Sequence, residues 1–269
     1  AFGTAGTGGF GVYNDSMGSF SPYLQNVVTV FMVLFGINFN FYFFLLVKEV
    51  REAFAMEEVR WYLIIFAAAT LMIAANLTIV QGGSPFYHLH HSAFQVASVM
   101  TTTGFATVDF NLWPNFSRSI LVVLMFIGAC AGSTGGGMKV SRYIIYFKTL
   151  RKELSTLIHP RSVKVIQCDG KAVDHDTIRS ANIYLIAYIF IYMLSVLLIS
   201  FDKFDLTTNF TAVAATFNNI GPGLNVVGPT GNFAGFSMFS KIVLIFDMLA
   251  GRREIFPMLI LLAPGTWKK

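Results

Sequence analysis

Apolar and polar positions along this 269-residue chain separate into long greasy runs and short polar breaks. A helix needs about 20 consecutive apolar residues to cross the hydrocarbon core of a bilayer. Five runs reach that length, at 22–47, 60–80, 117–147, 180–200 and 235–264. "GACAGSTGGGMK" (128–139) interrupts the third and "DMLAGRRE" (247–254) the fifth, so the pattern predicts two broken spans. Three polar, glycine-bearing stretches stand outside the runs: "GTAGTGGF" (3–10), "TTTGFATV" (101–108) and "NNIGPGLN" (218–225). The second and third follow apolar segments too short to cross, 90–100 and 210–217, and all three precede an inward span. A short helix, an extended return and a full helix make the plan of a re-entrant pore loop. Irregular backbone at membrane depth persists only where it lines a water-filled cavity or is buried in protein.

Composition agrees with the spans. The chain is 55% hydrophobic and only 12% charged, whereas soluble domains carry about 25% charged residues. The pattern therefore predicts an all-α integral membrane protein. Basic residues cluster on one side: Lys48, Arg51 and Arg60, then Lys139, Arg142, Lys148, Arg151, Lys152, Arg161, Lys164, Lys171 and Arg179, and finally Lys268 and Lys269. The other side holds Arg118, Lys203 and Lys241. Lys/Arg bias marks cytoplasmic loops, so the net charge of +5 reports topology and points away from nucleic acid. Asp15, Asp109, Asp202 and Asp205 fall on the outer side, as ordinary loop charges or as a field that attracts cations. Helical character continues past the third span to His159, where Pro160 stops it. "VKVIQCDGKAV" then reads as a β-hairpin turning on Asp169-Gly170, a connector or a docking point for a soluble partner. The start, "AFGTAGTGGF", has neither the basic nor the apolar region of a signal peptide and reads as the middle of a longer protein.

The candidate chemistry lies in the polar stretches. Glycine adopts positive φ freely and lets carbonyls turn toward an axis, and rings of such carbonyls can replace the hydration shell of K⁺. Gly6, Gly104 and Gly221 are expected to be equivalent, giving a filter of Thr4, Ala5 and Gly6, of Thr102, Thr103 and Gly104, and of Asn219, Ile220 and Gly221. Taken singly, each stretch also reads as a plain polar turn. The run 128–139 is no phosphate loop, because Met138 separates Gly137 from Lys139. Its five glycines and Ser133–Thr134 pair give it no strong preference for helix. His88, His90 and His91 lack the further ligands of a zinc site. Cys130 and Cys168 form no disulfide framework, and Cys130 reads as a packing residue. No nucleophile–base set is evident, so the chain does not read as an enzyme. An alternative is a secondary transporter coupling H⁺ or Na⁺ to solute through broken helices, for which Asp247 and Glu254 are the candidate carboxylates.

"TAGTGGFG", "TTTGFATVDFNLWP", "FIGACAGSTGGGMKVSR", "LIHPR", "NNIGPGL" and "DMLAGRREIFP" together resemble the potassium-translocating subunits of the Trk/Ktr/HKT superfamily, most of all its bacterial TrkH branch. The resemblance extends over essentially the whole chain. It implies membrane helix–pore loop–membrane helix repeats, four per protein, in pseudo-fourfold symmetry around one pore. Residues 1–58 would be the return and inner helix of repeat two, 59–150 repeat three with its intramembrane loop, 151–179 a cytoplasmic connector and 180–269 repeat four. The first repeat and the outer helix of the second are missing from the sequence, which alone is not expected to make a working pore. Glycine in each filter loop implies K⁺ over Na⁺, with K⁺ as transported ion and no bound cofactor. The resemblance assigns the gate to Gly132, Ser133, Thr134, Gly135, Gly136 and Gly137 with Arg252. A charge at the bilayer centre must face a cavity or a partner, and the plainer role for Arg252 is a pair with Glu254 or Asp247; Arg253 is assigned to that plainer class. A homodimer in the bacterial inner membrane, in contact with lipid and with a TrkA-like nucleotide-binding regulatory subunit in the cytosol, is also implied.

Overall fold

The computed structural model describes residues 1–160, 165–253, 255–262 and 266–267. Arg161, Lys164, Glu254, Lys268 and Lys269 lie outside the described residues, as does the side chain of Arg253. The described helices are α1 (Phe2–Ala5), α2 (Pro22–Phe35), α3 (Phe39–Leu46), α4 (Val50–Ala55), α5 (Glu57–Gln81), α6 (Pro85–Met100), α7 (Asn115–Phe126), α8 (Val140–Ile158), α9 (His175–Ile199), α10 (Leu206–Phe217), α11 (Met238–Arg253) and α12 (Ile255–Leu262). Among the described residues the regular elements are helical apart from a two-stranded hairpin, β1 (Gln167–Cys168) and β2 (Lys171–Ala172).

Local chemistry sets the boundaries. Ser21 caps α2 by accepting from the Leu24 amide, with Pro22 in the first turn, where its missing N–H costs nothing. Asp205 caps α10 through the Thr208 amide, and Gly82, at φ +69°, ends α5. α5 and α9, each of 25 residues, are long and apolar enough to cross a membrane. Their outward side chains, among them Leu71, Ile79, Phe190 and Leu197, are exposed, as a lipid-facing surface requires. α6 and α10 carry more polar residues and are largely buried from Ser92 and Thr208 onward, including Gln95, Ser98, Asn209 and Thr211. α5 packs on α6, α6 on α2 and α7, and α10 on α9 and α11. Tyr184, Tyr188 and Tyr192, one turn apart on α9, are buried in the main core, with Tyr188 and Tyr192 against Phe217 of α10.

One span differs from expectation. The run 22–47 is not one helix: α2 and α3 meet at 90° across Gly36–Asn38. The backbone groups freed there are satisfied by the loop 127–139, since Gly36 O accepts from Cys130 N (3.0 Å) and Phe39 N donates to Gly132 O (3.1 Å). Asn38 restarts the helix by accepting from Asn40 N. The third run is divided into α7 and α8, with the loop 127–139 between them. In the fifth, 247–253 is helical, and Glu254 at the end of the expected break lies outside the described residues. Gly251 is there for packing: a Cβ on it would overlap the carbonyl of Phe217.

The hairpin turns on Asp169 and Gly170, both at positive φ, the conformation a two-residue primed turn requires. It folds back on α5 and does not stand free: Asp169 Oδ1 accepts from Glu57 N (2.6 Å), and Lys148 of α8 joins Gln167 O to the Glu57 carboxylate.

Candidate functional site

The three polar stretches have one backbone design. After α6, Thr102 takes φ +58° and Gly104 φ +85°, while the amides of Thr103 and Gly104 both donate to Ser98 O. After α10, Asn219 (+57°) and Gly221 (+107°) repeat this, with Ile220 and Gly221 donating to Ala215 O. After α1, the matching residues are Thr7 (+49°) and Gly9 (+63°), with Gly8 and Gly9 donating to Gly3 O. The expected equivalence of Gly6 to Gly104 and Gly221 is therefore corrected by three residues. Gly6 is the C-cap of α1 at φ −85°, a conformation open to any residue, and Gly9 is the positive-φ glycine. Thr4 and Ala5 belong to α1 and do not line the cavity. Gly9→Ala is accordingly expected to destabilise the first loop by about 1–3 kcal/mol, the cost of a non-glycine residue in a sparsely populated backbone region. Gly6→Ala should do much less. Thermal unfolding of the two variants in detergent measures the difference, and equal shifts would restore Gly6 to the register first expected.

The loops converge. A Cβ on Gly9 would overlap the carbonyl of Thr103, and one on Gly104 the carbonyl of Ile220. Each of these glycines thus abuts the residue just before the corresponding glycine of the next loop. Gly221 has nothing within 4 Å. Gly6 to Phe10, Thr103, Gly104 and Asn219 to Gly221 line one cavity of about 710 Å³, whose wall is completed on α11 by Lys241, Leu244, Ile245, Met248 and Arg252. Thr102 is buried and turns its hydroxyl away, to accept from Gly136 N at 2.6 Å. Thr103 Oγ1 is 2.8 Å from Thr101 Oγ1, and Asn219 Nδ2 donates to Met248 O.

A second cavity of about 300 Å³ is lined by Ser133 to Gly137, Lys139, Tyr184 and Gly251. Gly6 and Arg252 line both cavities and so lie at their boundary. The loop 127–139 is folded tightly at its base, where Gly128 N donates to Met138 O. Gly132 and Gly137 turn the chain at φ +68° and +66°. Ser133 Oγ donates to Cys130 O, and Lys139 Nζ donates to Gly135 O. Thr134 O accepts twice: from Thr7 Oγ1 of the first polar loop (2.9 Å) and from Arg252 Nη1 (3.1 Å). Asp247 is not a partner of Arg252, because it is fully buried and its Oδ1 accepts from Ser195 Oγ of α9. It does not line the cavity either, as a coupling carboxylate on the solute path would. Sequence reasoning missed Thr7, Gly9 and Glu58, whose Oε1 accepts from Ala131 N and Ser141 N. The phenylalanine after Gly9, matching Phe105 after Gly104, was the available signal for the register.

The remaining candidates fix local structure. His88 bonds Gly82 O, His90 lies between Gln25 Oε1 and Asn26 Oδ1, and His91 contacts Thr107 Oγ1. Among the described residues no group of three His, Cys, Asp or Glu side chains is placed to hold a metal. The outer carboxylates organise loops. Backbone donation from Ser237 holds Asp202 below the usual carboxylate range, and the Thr208 hydroxyl does the same for Asp205. Asp109 accepts from Asn111 N, and Asp15 from Ser19 Oγ.

Apolar spans around converging, glycine-turned loops, with a cavity walled in part by Arg252, define a helical membrane protein. The comparisons narrow the class. The family model TrkH, described as "Cation transport protein", matches residues 1–268. The Trk system potassium uptake protein TrkH of Salmonella typhimurium is 34% identical over 278 residues, covering all of this chain and 56% of that protein. Its counterpart from Vibrio parahaemolyticus is 36% identical over 273 residues, again with 56% of that protein covered. The crystal structure of the potassium transporter TrkH from Vibrio parahaemolyticus matches at a TM-score of 0.89 and 35% identity, over 99% of this chain and 58% of that one. This chain belongs to the TrkH cation transport family, and it spans a little over half the length of these relatives.

Proposed function

We propose that this chain forms part of a potassium-selective, passively conducting uptake subunit, with residues 1–58, 59–150 and 180–269 contributing three pore-loop units around a single axis. One observation carries the reading: the succession of Gly9 against Thr103, Gly104 against Ile220, and Gly221 facing open space. Three loops that turn in the same sense, the first seated on the second and the second on the third, describe most of a ring of carbonyls. K⁺ is the ion such oxygens suit, and the relatives named above are potassium uptake proteins. The membrane potential supplies the driving force: about 2.3 kcal/mol per charge at 100 mV sustains roughly fifty-fold accumulation. In this reading the loop 127–139 and Arg252 form the gate. The regulatory partner is a nucleotide-binding cytosolic subunit, the assembly a homodimer and the location a bacterial inner membrane.

The test is deletion of 132–137 in a full-length transporter carrying this sequence. The deleted segment does not line the large cavity. Basal Rb⁺ uptake in proteoliposomes is therefore expected to rise severalfold while the K⁺/Na⁺ ratio changes little. Loss of uptake in correctly inserted protein would remove the gate assignment.

A further inference from the structure

α8 begins with a problem of hydrogen bonding. The first amides of a helix have no partner within it, and the N-cap residue here is Lys139, whose side chain has donors and no acceptor. At membrane depth, an unsatisfied amide costs more than in water. The structure solves this with groups from outside α8. Val140 N donates to Ala129 O (3.3 Å), and Ser141 N donates to Glu58 Oε1 (3.0 Å). The same oxygen accepts from Ala131 N at 2.7 Å, on the opposite shoulder of the loop. Glu58 is 8% exposed, on the first turn of α5, and so belongs to neither shoulder. One carboxylate oxygen thus pins the entry and the exit of the intramembrane loop to a third helix.

We infer that Glu58 is the positioning residue of the intramembrane loop: it holds residues 131 and 141 together, and thereby fixes the span from which Thr134 and Gly136 reach Arg252 and Thr102. Its own place is set from the cytoplasmic side. Met56, the N-cap of α5, offers no side-chain acceptor, and Asp169 of the hairpin takes the Glu57 amide instead. Glu57 pairs with Lys148, which also bonds Gln167 O. Neighbouring residues of α5 therefore join the hairpin to the loop. The consequence for ion flow rests on the gate reading above; the clamp itself does not.

Because both bonds end on Oε1, glutamine can replace the carboxylate and alanine cannot. An amide oxygen keeps two lone pairs. The experiment is amide hydrogen exchange of the protein in nanodiscs, comparing the parent with Glu58→Ala and Glu58→Gln, alongside Rb⁺ flux from a full-length transporter carrying the same substitutions. Glu58→Ala is expected to speed exchange across 128–141 on the order of tenfold, as lost buried hydrogen bonds lower local opening free energy. Protection of α6 and α10 should be kept, and Glu58→Gln should stay within about twofold of the parent, since its acceptor remains. Exchange unchanged by Glu58→Ala, or raised equally by both substitutions, would overturn the inference. So would a rise spread evenly through α5, α6 and α10, which marks a general loss of stability. Faster exchange confined to 128–141 with unaltered flux would leave Glu58 as the clamp and remove the gate reading instead.

Discussion

Gly104→Ser, placed in a full-length transporter carrying this sequence, is expected to lower the K⁺/Na⁺ uptake ratio about tenfold or more. Two independent costs act at this position. Gly104 sits at φ +85°, where a side chain costs about 1–3 kcal/mol. Its Cβ would also overlap the carbonyl of Ile220, and backbone cannot yield as a flexible side chain does. The neighbouring loop must shift, and with it the oxygens of two filter segments. Since each 1.4 kcal/mol is a factor of ten, even the strain alone, if it falls unequally on the two bound ions, changes discrimination visibly. Parallel Rb⁺ and Na⁺ uptake at matched protein density measures it. An unchanged ratio would mean that the 101–104 segment is not part of the filter.

Arg252→Ala is expected to raise resting K⁺ flux severalfold. The guanidinium lines both cavities and donates to Thr134 O, so the substitution removes a charge and a tether together. Two unit charges about 4 Å apart interact by roughly 4 kcal/mol at an effective dielectric of 20. Water in the cavity reduces this, yet a quarter of it still changes a rate severalfold. Arg252→Lys separates the contributions, because it keeps the charge and gives up the planar fork. Flux per inserted molecule in Arg252→Lys should lie between parent and Arg252→Ala. If Arg252→Ala conducts no more than the parent, the arginine is not a barrier on the ion path.

The parts of this fold legible in the sequence are those set by apolar length and turn chemistry. The spans expected at 60–80 and 180–200 stand as α5 and α9, and the hairpin turns on Asp169-Gly170. What escaped depended on contacts between distant segments. The bend at Gly36–Asn38 is apolar on both sides and reads as one span, and carbonyls and amides of 127–139 help to satisfy its backbone. The role of Gly251, a point of close approach to Phe217, is set by a contact that its own stretch does not show. In "GTAGTGGF" four glycines compete for one role, and the pairing of Gly8 and Gly9 with Gly3 O decides among them. Glu58 stands in "EEVR", a charged helix start like any other until the fold brings Ala131 and Ser141 to it.

The double acceptance at Thr134 links two parts of the molecule that are otherwise far apart in sequence. Thr7 reaches it from the first polar loop and Arg252 from α11, and both end on the same oxygen. Carrying that one carbonyl away from the cavity gives up both bonds together, although either donor can also leave alone, Thr7 onto Gly6 O at 2.8 Å. If the loop is the gate proposed above, its displacement therefore frees the first loop and the arginine in the same movement.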